Sequence, residues 1–199
     1  RGDNTFNTVL NTIKKLRERK FDIRIICTVN MRNIKDCLNI LSIADNLGVS
    51  LVKYHIFSGI GGGRSNDRLL AKPNEWIKFI NLLLDQKGKF KTKIQYQAAY
   101  GYESSKDLLL DQKYTGCLGR KLNRMSIFSD KKVYICSYLF DENLNFAKID
   151  LENHKLLINR GGQSELDLFF SKLKKCEKCN FNDICFNGCQ AEKIVNNLY

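Results

Sequence analysis

The sequence is poor in several residue types, and each shortage closes off a class of protein. Its 199 residues include one proline, one tryptophan, two methionines and two histidines. No apolar run approaches the roughly 20 residues of a membrane-spanning helix, so no membrane partner is expected. There is no signal peptide, internal repeat or low-complexity segment. Residue 1 is Arg1, so the sequence reads as a piece of something longer. With only His55 and His154, no Ser/His/Asp or Cys/His nucleophile arrangement can be assembled. Neither a GKS/GKT nor a GxGxxG frame is present to mark a nucleotide loop. Acidic residues are the minority, 21 against 33 Lys and Arg, giving a net charge of +12. The excess is scattered (Lys14, Lys15, Arg17, Arg19, Lys20; Lys172, Lys174, Lys175). Each run reads as a solvated face, and together they suit an acidic peptide or nucleic acid. Eight cysteines among many lysines point to a reducing compartment, which we read as cytoplasmic.

What is present is concentrated at the end. Cys176, Cys179, Cys185 and Cys189 follow Cys-x2-Cys-x5-Cys-x3-Cys, four soft ligands within fourteen residues, with Gly188 just before the last. No helical or strand period produces that spacing. An x2 step lets two thiolates turn onto one metal while intervening amides donate to sulfur. A glycine beside a ligand lets the main chain approach closely. Three readings stand beside one another. Two disulfides would suit a small extracellular knot, but such domains are usually about 8–10% cysteine throughout. Zinc sites usually separate two short-spaced pairs or include histidine, and none lies in this stretch. The third reading is an iron–sulfur cluster. Cys27 in an apolar strand and Cys37 on a helix read as buried structural thiols. His55 reads as a satisfied core residue and His154 as surface.

Before residue 100 the pattern alternates. Phe6, Val9, Leu10, Ile13 and Leu16 give an apolar helical face that Asp3 or Asn4 can cap. Residues 21–29 (FDIRIICTV) form an apolar, β-branched strand. Asn33 caps a second helix with Asp36 as its capping-box partner, burying Ile34, Leu38, Leu41, Ile43 and Ala44 and ending near Gly48. Residues 49–57 (VSLVKYHIF) are a second strand, followed by the loop Gly59-Ile60-Gly61-Gly62-Gly63-Arg64. Pro73 opens a third helix carrying Trp76, Ile77, Phe79, Ile80 and Leu83. Residues 92–99 (TKIQYQAA) are a third strand. This order predicts an α/β fold with right-handed crossovers and a parallel sheet. Three such strands cannot bury both their faces, so the chain reads as part of a larger barrel or sheet.

Composition shifts after about residue 103, which sets two domains, 1–103 and 104–199. Residues 123–128 and 133–138 predict a β-hairpin across the polar turn Ser129-Asp130-Lys131-Lys132, with Cys117 before it and Cys136 in its second strand. Residues 146–149 suggest another short strand. Residues 164–173 suggest a helix capped by Ser164, and residues 190–198 a last basic helix.

Cys117, a hairpin bearing Cys136, and the four-Cys run together resemble the SPASM domain of radical S-adenosylmethionine (SAM) enzymes. The upstream half is similar to the C-terminal half of their partial (β/α) barrel. Arg1-Gly2 and Phe6 resemble the lead into the fourth barrel helix, residues 25–30 with Asn33 the fifth strand, and residues 54–57 with Gly63-Arg64 the sixth strand and its exit loop. The resemblance implies auxiliary 4Fe-4S clusters, one held by Cys117, Cys136 and Cys189, the other by Cys176, Cys179 and Cys185. Gly63 and Arg64 would lie on the SAM side. Two full clusters take eight ligands and these are six. The family's further cysteine beyond the run is not found in the ten residues after Cys189, and its glycine five residues before the second hairpin cysteine is Lys131 here. The Cys-x3-Cys-x2-Cys motif for the SAM-cleaving cluster is absent, as is the Gly-Gly-Glu-type segment. The whole enzyme would bind SAM and a further 4Fe-4S cluster through a missing N-terminal barrel half. This chain alone is then expected to be inactive.

The resemblance implies the C-terminal part of a maturase that modifies a peptide or protein, with an acidic leader peptide as a possible partner. The other readings are a metal-stabilised basic module contacting nucleic acid or protein, or a non-catalytic adaptor. Against nucleic acid, Phe169, Phe170, Phe181 and Phe186 fall at core-like positions and do not interleave with the basic residues as a stacking platform needs.

Overall fold

The computed structural model describes residues 5–100, 117–140, 143–159, 166–167, 169–170, 177–180, 185 and 188–195. The chain divides into two compact units, Arg1–Phe57 with Arg68–Gln97, and Ser58–Asp67 with Ala98–Tyr199.

The first unit is α/β. Helix α1 (Thr5–Glu18), strand β1 (Arg24–Val29), helix α2 (Asn39–Asn46), strand β2 (Leu51–Ile56), helix α3 (Pro73–Leu84) and strand β3 (Lys93–Tyr96) alternate as expected. The strands form one parallel sheet in the order β1-β2-β3, with Cys27 opposite Tyr54 and Tyr54 opposite Tyr96. Along β2 burial alternates. Val52, Tyr54 and Ile56 are buried, while Leu51, Lys53 and His55 are half-exposed. The buried face is covered by helix. Trp76, Phe79, Ile80 and Leu83 of α3 are all buried, and the Phe79 ring stands 5.5 Å from that of Tyr54, edge on. α3 opens at Pro73, whose missing N–H costs nothing in a first helical turn.

Three expectations are corrected here. The α1 stripe is not a buried face. Only Ile13 is buried, and Phe6 and Val9 are 61% and 46% exposed. Asn33 does not cap α2, which starts at Asn39. Residues 31–38 are turns instead, the residue before α2 is Leu38 with no side-chain cap bond, and Asn30 holds the first of the turns. Its side-chain oxygen accepts the N–H groups of Arg32 and Asn33 at 2.9 and 3.3 Å. Asn33 reaches back, its Nδ2 donating to Thr28 O at 2.9 Å and its Oδ1 accepting the Asn30 N–H at 2.8 Å. Cys37 accordingly lies in these turns and not on a helix. The expected caps Asp3, Asn4 and Ser164 fall outside the described residues.

The second unit carries an antiparallel sheet, β4 (Ser126–Ile127), β5 (Lys132–Tyr134), β6 (Ala147–Asp150) and β7 (Lys155–Ile158), in sequential order. The hairpin is present but shorter than expected, and Cys136 lies beyond β5, extended, ahead of a 3₁₀ turn at Ser137–Leu139. Strand β7 was not foreseen, because its residues show no alternation and all four are exposed. A last helix, α4 (Gln190–Val195), follows the cysteine run. Val133, Tyr134, Ile135, Leu139, Phe146, Ala147, Phe169 and Ala191 form the core.

The β4–β5 turn stores strain. Lys131 has φ +66, in the left-handed region. Asp130 Oδ1 holds the turn by accepting the Lys132 N–H at 3.0 Å. A non-glycine residue there costs about 1–2 kcal/mol that glycine escapes. Lys131→Gly is therefore expected to raise stability by about 1 kcal/mol, read as a higher denaturant midpoint at unchanged slope. An unchanged or lower midpoint would contradict the strain.

Candidate metal centre

The second unit gathers three of the expected ligands around one small core. Cys117, Cys136 and Cys189 are half-buried and pack against it. Gly119 shows how the first two meet. A Cβ built there would sit 2.9 Å from the carbonyl oxygen of Ile135 and 3.7 Å from Cys117 Sγ. The chain after Cys117 thus runs directly against the residue before Cys136, an approach that only glycine allows.

Cys189 is fixed through its backbone. Its N–H donates to Ala99 O at 2.6 Å and its carbonyl accepts the Lys193 N–H at 3.2 Å. Its sulfur accepts the N–H of Glu192, so the thiol occupies the N-cap position of α4. Gly188 before it has φ +95, and its N–H donates to Cys185 O at 2.8 Å. Cys136 is treated alike, its sulfur accepting the N–H of Tyr138. Two of the three thiols thus carry N–H···S bonds, the arrangement that stabilises and tunes metal-bound thiolate.

The thiols also sense one another. Burial pushes Cys189 up, and the Glu192 carboxylate, Cys136 and Cys117 push the same way against the Glu192 N–H. Burial likewise raises Cys136, opposed by the Tyr138 N–H and assisted by Cys117. Such thiols keep their protons unless a cation displaces them. Among the described residues, no three His, Cys, Asp or Glu side chains stand close enough to hold a metal. The donors are soft and clustered, which fits a thiolate-ligated group, but they are not closed into a ligand set. Of the other expected ligands, Cys179 is exposed and Cys185 half-buried, while Cys176 lies outside the described residues. None of the described cysteines is in a disulfide.

Glu192 escaped the sequence reading, which took the last helix as basic. It is 1% exposed and accepts a hydrogen bond from Ser58 Oγ at 3.4 Å. The signal was Cys189-Gln190-Ala191-Glu192, a capping-box spacing with cysteine in the place of serine. Tyr100, pushed up to about 12 by burial and then by Glu192 and Cys189, belongs to the same neighbourhood.

Gly63 and Arg64, which fall in the second unit, lie in a 3₁₀ segment, Gly61–Leu69, kinked at Asn66. The Gly62 carbonyl there accepts from Asn66 Nδ2 at 2.9 Å and Ser65 Oγ at 3.2 Å. Arg64 is exposed. His55 corrects the expectation of a satisfied core histidine. It lies on the face of β2 away from Tyr54, opposite Thr28 of β1, and its Nε2 is buried with no hydrogen-bond partner among the described residues. Gln97, whose N–H donates to Tyr54 O at 3.0 Å and so extends the β2–β3 ladder, has a side-chain oxygen in the same condition. His154 is exposed.

No protein-family model matches this chain, and no curated protein sequence is similar to it. Solved structures do match. SuiB of Streptococcus suis bound to S-adenosylmethionine is 16% identical with a TM-score of 0.64, over 93% of this chain and 44% of SuiB. SuiB bound to the precursor peptide SuiA is 15% identical with a TM-score of 0.66, over 93% and 44%. This chain therefore spans less than half the length of SuiB. What the likeness shows is the fold, a mixed α/β architecture with a parallel sheet shared with SuiB.

The orphaned His55 nitrogen predicts a pH effect. Burial first, and then Lys53, hold its pKa below the usual histidine value of 6.5. The unfolded chain then takes up the proton first as pH falls, so stability present above about pH 6.5 is lost on acidification. The denaturant midpoint is expected to fall between pH 7.5 and 5.5, above the carboxylate range, and His55→Gln is expected to flatten that slope. Equal slopes for both proteins would contradict it.

Proposed function

We propose that this chain is the C-terminal portion of a radical SAM enzyme that modifies a peptide, and that its second unit is a SPASM-type auxiliary-cluster domain. The observation that carries the reading is the convergence of Cys117, Cys136 and Cys189 on one core, two of them with backbone N–H donors on sulfur. The SuiB likeness supports it, since those structures hold S-adenosylmethionine and a precursor peptide.

In this reading Cys117, Cys136 and Cys189 hold one 4Fe-4S cluster, and Cys179 and Cys185 with Cys176 hold a second. When bound, a cluster supplies one-electron chemistry or an iron site for substrate. The residues of this chain do the rest. The N–H groups of Tyr138 and Glu192 stabilise anionic sulfur, and Gly119 keeps Cys117 beside Cys136. On the first unit, the face with Thr28, His55 and Gln97 offers polar groups to a bound molecule, and in the second unit Gly63 and Arg64 belong to the SAM side. The exposed apolar residues Phe6, Val9 and Ile26 are the surface on which the N-terminal barrel half docks. The enzyme is cytoplasmic, and its net charge of +12 suits an acidic leader peptide. Phe169 is buried and Phe170 lies under the Arg120 guanidinium, 5.7 Å from its ring centre, which leaves neither as a stacking platform for nucleic acid.

Anaerobic reconstitution with iron and sulfide is the test. We expect four irons per chain or more, visible absorption near the cluster region, and better loading as pH rises, because loading displaces thiol protons. Cys136→Ser is expected to lower the iron count by one cluster. A chain that stays colourless and takes only zinc would refute the cluster reading.

The absent Cys-x3-Cys-x2-Cys motif makes a separate prediction. Reduced, reconstituted chain given SAM is expected to form no 5′-deoxyadenosine. Turnover by this chain would overturn both the placement of the clusters and the need for a second barrel half.

A further inference from the structure

Two cysteines have no part in the metal centre. Cys27 on β1 and Cys37 in the turns before α2 are 7% and 1% exposed, and their sulfurs lie 3.6 Å apart. That is sulfur–sulfur contact distance, about 1.5 Å longer than a disulfide. Ten residues separate them, and the fold brings them together by specific hydrogen bonds. Asn33 ties the turn back to the end of β1 through Thr28 O and the Asn30 N–H, and its Oδ1 accepts the Cys37 S–H at 3.4 Å. The Cys37 carbonyl accepts the Tyr54 hydroxyl at 3.3 Å, and Tyr54 is the ladder partner of Cys27. The residue beside Cys27 on the neighbouring strand therefore holds Cys37 in place.

A third soft ligand would suggest a metal, but none accompanies the pair among the described residues. What remains is chemistry between the two sulfurs. We propose that Cys27 and Cys37 are a reversible dithiol/disulfide site, closed by a peroxide-class oxidant, that clamps residues 28–36 onto the first strand.

The electrons and atoms balance. The Cys27 sulfur attacks one peroxide oxygen and the O–O bond breaks, giving a sulfenic acid while the released hydroxide takes the thiol proton and leaves as water. The Cys37 sulfur then attacks the Cys27 sulfur. The S–O bond breaks, and the hydroxyl leaves with the Cys37 proton as a second water. Two sulfurs have given two electrons to one peroxide, and a dithiol reductant reverses the change. Cys27 is the first nucleophile because it is the more exposed of the two. A peroxide, little larger than water, suits so enclosed a site.

Position gives the cross-link its consequence. Residues 30–36 follow the carboxyl end of β1, the edge at which parallel α/β sheets place their ligand loops. Closing a ring from Cys27 to Cys37 restricts the openings of that segment and leaves the rest of the sheet as it was. The inference does not depend on what the metal centre holds.

The experiment treats the full chain with hydrogen peroxide, alkylates remaining thiols under denaturing conditions, and digests with trypsin. Cleavage after Arg24, Arg32, Lys35 and Lys53 separates the two cysteines, so a disulfide joins peptide 25–32 to peptide 36–53. We expect that joined peptide, lighter than its parts by two hydrogens and lost on treatment with dithiothreitol. Amide exchange within 28–36 is expected to slow by about tenfold on oxidation and to recover on reduction. Cys37→Ala should leave Cys27 alkylatable or further oxidised and abolish the slowing. Because the joined peptide is read on the unmutated chain, an unstable variant does not spoil the test. Recovery of both peptides singly alkylated, or of Cys27 joined to any of the other six cysteines, would overturn the proposal, as would a joined peptide without slower exchange.

Discussion

The second unit depends on where Cys189 is held. Three bonds fix that residue, from its N–H to Ala99 O, from the Lys193 N–H to its carbonyl, and from the Glu192 N–H to its sulfur. It closes the cysteine run and starts α4, so the position of a metal ligand and the start of a helix are one constraint. Moving the sulfur would uncap the helix that buries Ala191 and Glu192. Gly188 makes this possible, since its φ of +95 turns the chain into the cap at a position where a side chain would be strained. The strands around it are only two to four residues long. So little continuous sheet buries little apolar area, and a unit of this kind gains from ligand bonds what its core does not supply.

The first unit has the opposite character. Its helices cover one face of the parallel sheet and bury Tyr54, Trp76 and Leu83 completely. The other face keeps Ile26 at 67% exposure, beside polar Thr28, Lys53 and Gln95. Parallel sheets ordinarily bury both faces. A buried His55 nitrogen and a Gln97 oxygen without partners among the described residues are what such a face leaves behind. Desolvating them without a hydrogen bond costs about 1–3 kcal/mol each, which a bound molecule or a further layer of chain would recover.

The alternation of apolar runs with helical stripes made the parallel sheet and its order legible in the sequence, because burial on one face of each element writes itself into periodicity. Pro73 marked a helix start for a local reason that needs no tertiary contact. The rest depended on distance in space. Phe6 and Val9 have helical spacing, but spacing does not say whether a partner is there to cover them. Asn33 looked like a cap because Asp36 follows at the right interval, yet α2 starts only at Asn39, Asn30 holds a turn three residues earlier, and Asn33 turns back toward Thr28. β7 carries apolar residues on both faces of an exposed strand, a pattern without the alternation that identifies strands. In the candidate site, the cysteine spacing announced thiol ligands. The backbone donors on Cys136 and Cys189 and the burial of Glu192 appear only once the chain has folded.

The contrast between the two groups of cysteines turns on what faces the sulfur. Cys136 and Cys189 each receive a backbone N–H, a donor that favours an anionic sulfur and gives nothing to a neutral one. Among the described residues, Cys27 and Cys37 receive no such donor. Cys37 faces an acceptor, Asn33 Oδ1, and each thiol faces the other. An acceptor stabilises the protonated thiol and disfavours thiolate, so this pair resists the double deprotonation that metal ligation demands. A covalent bond between them removes both protons without leaving a charge in the apolar interior. Burial, which opposes the ionised form of every one of these thiols, therefore separates them by chemistry. Where N–H donors reach the sulfur, burial concentrates ligands for a cation, and where the sulfur meets an acceptor and another sulfur instead, it favours the neutral disulfide.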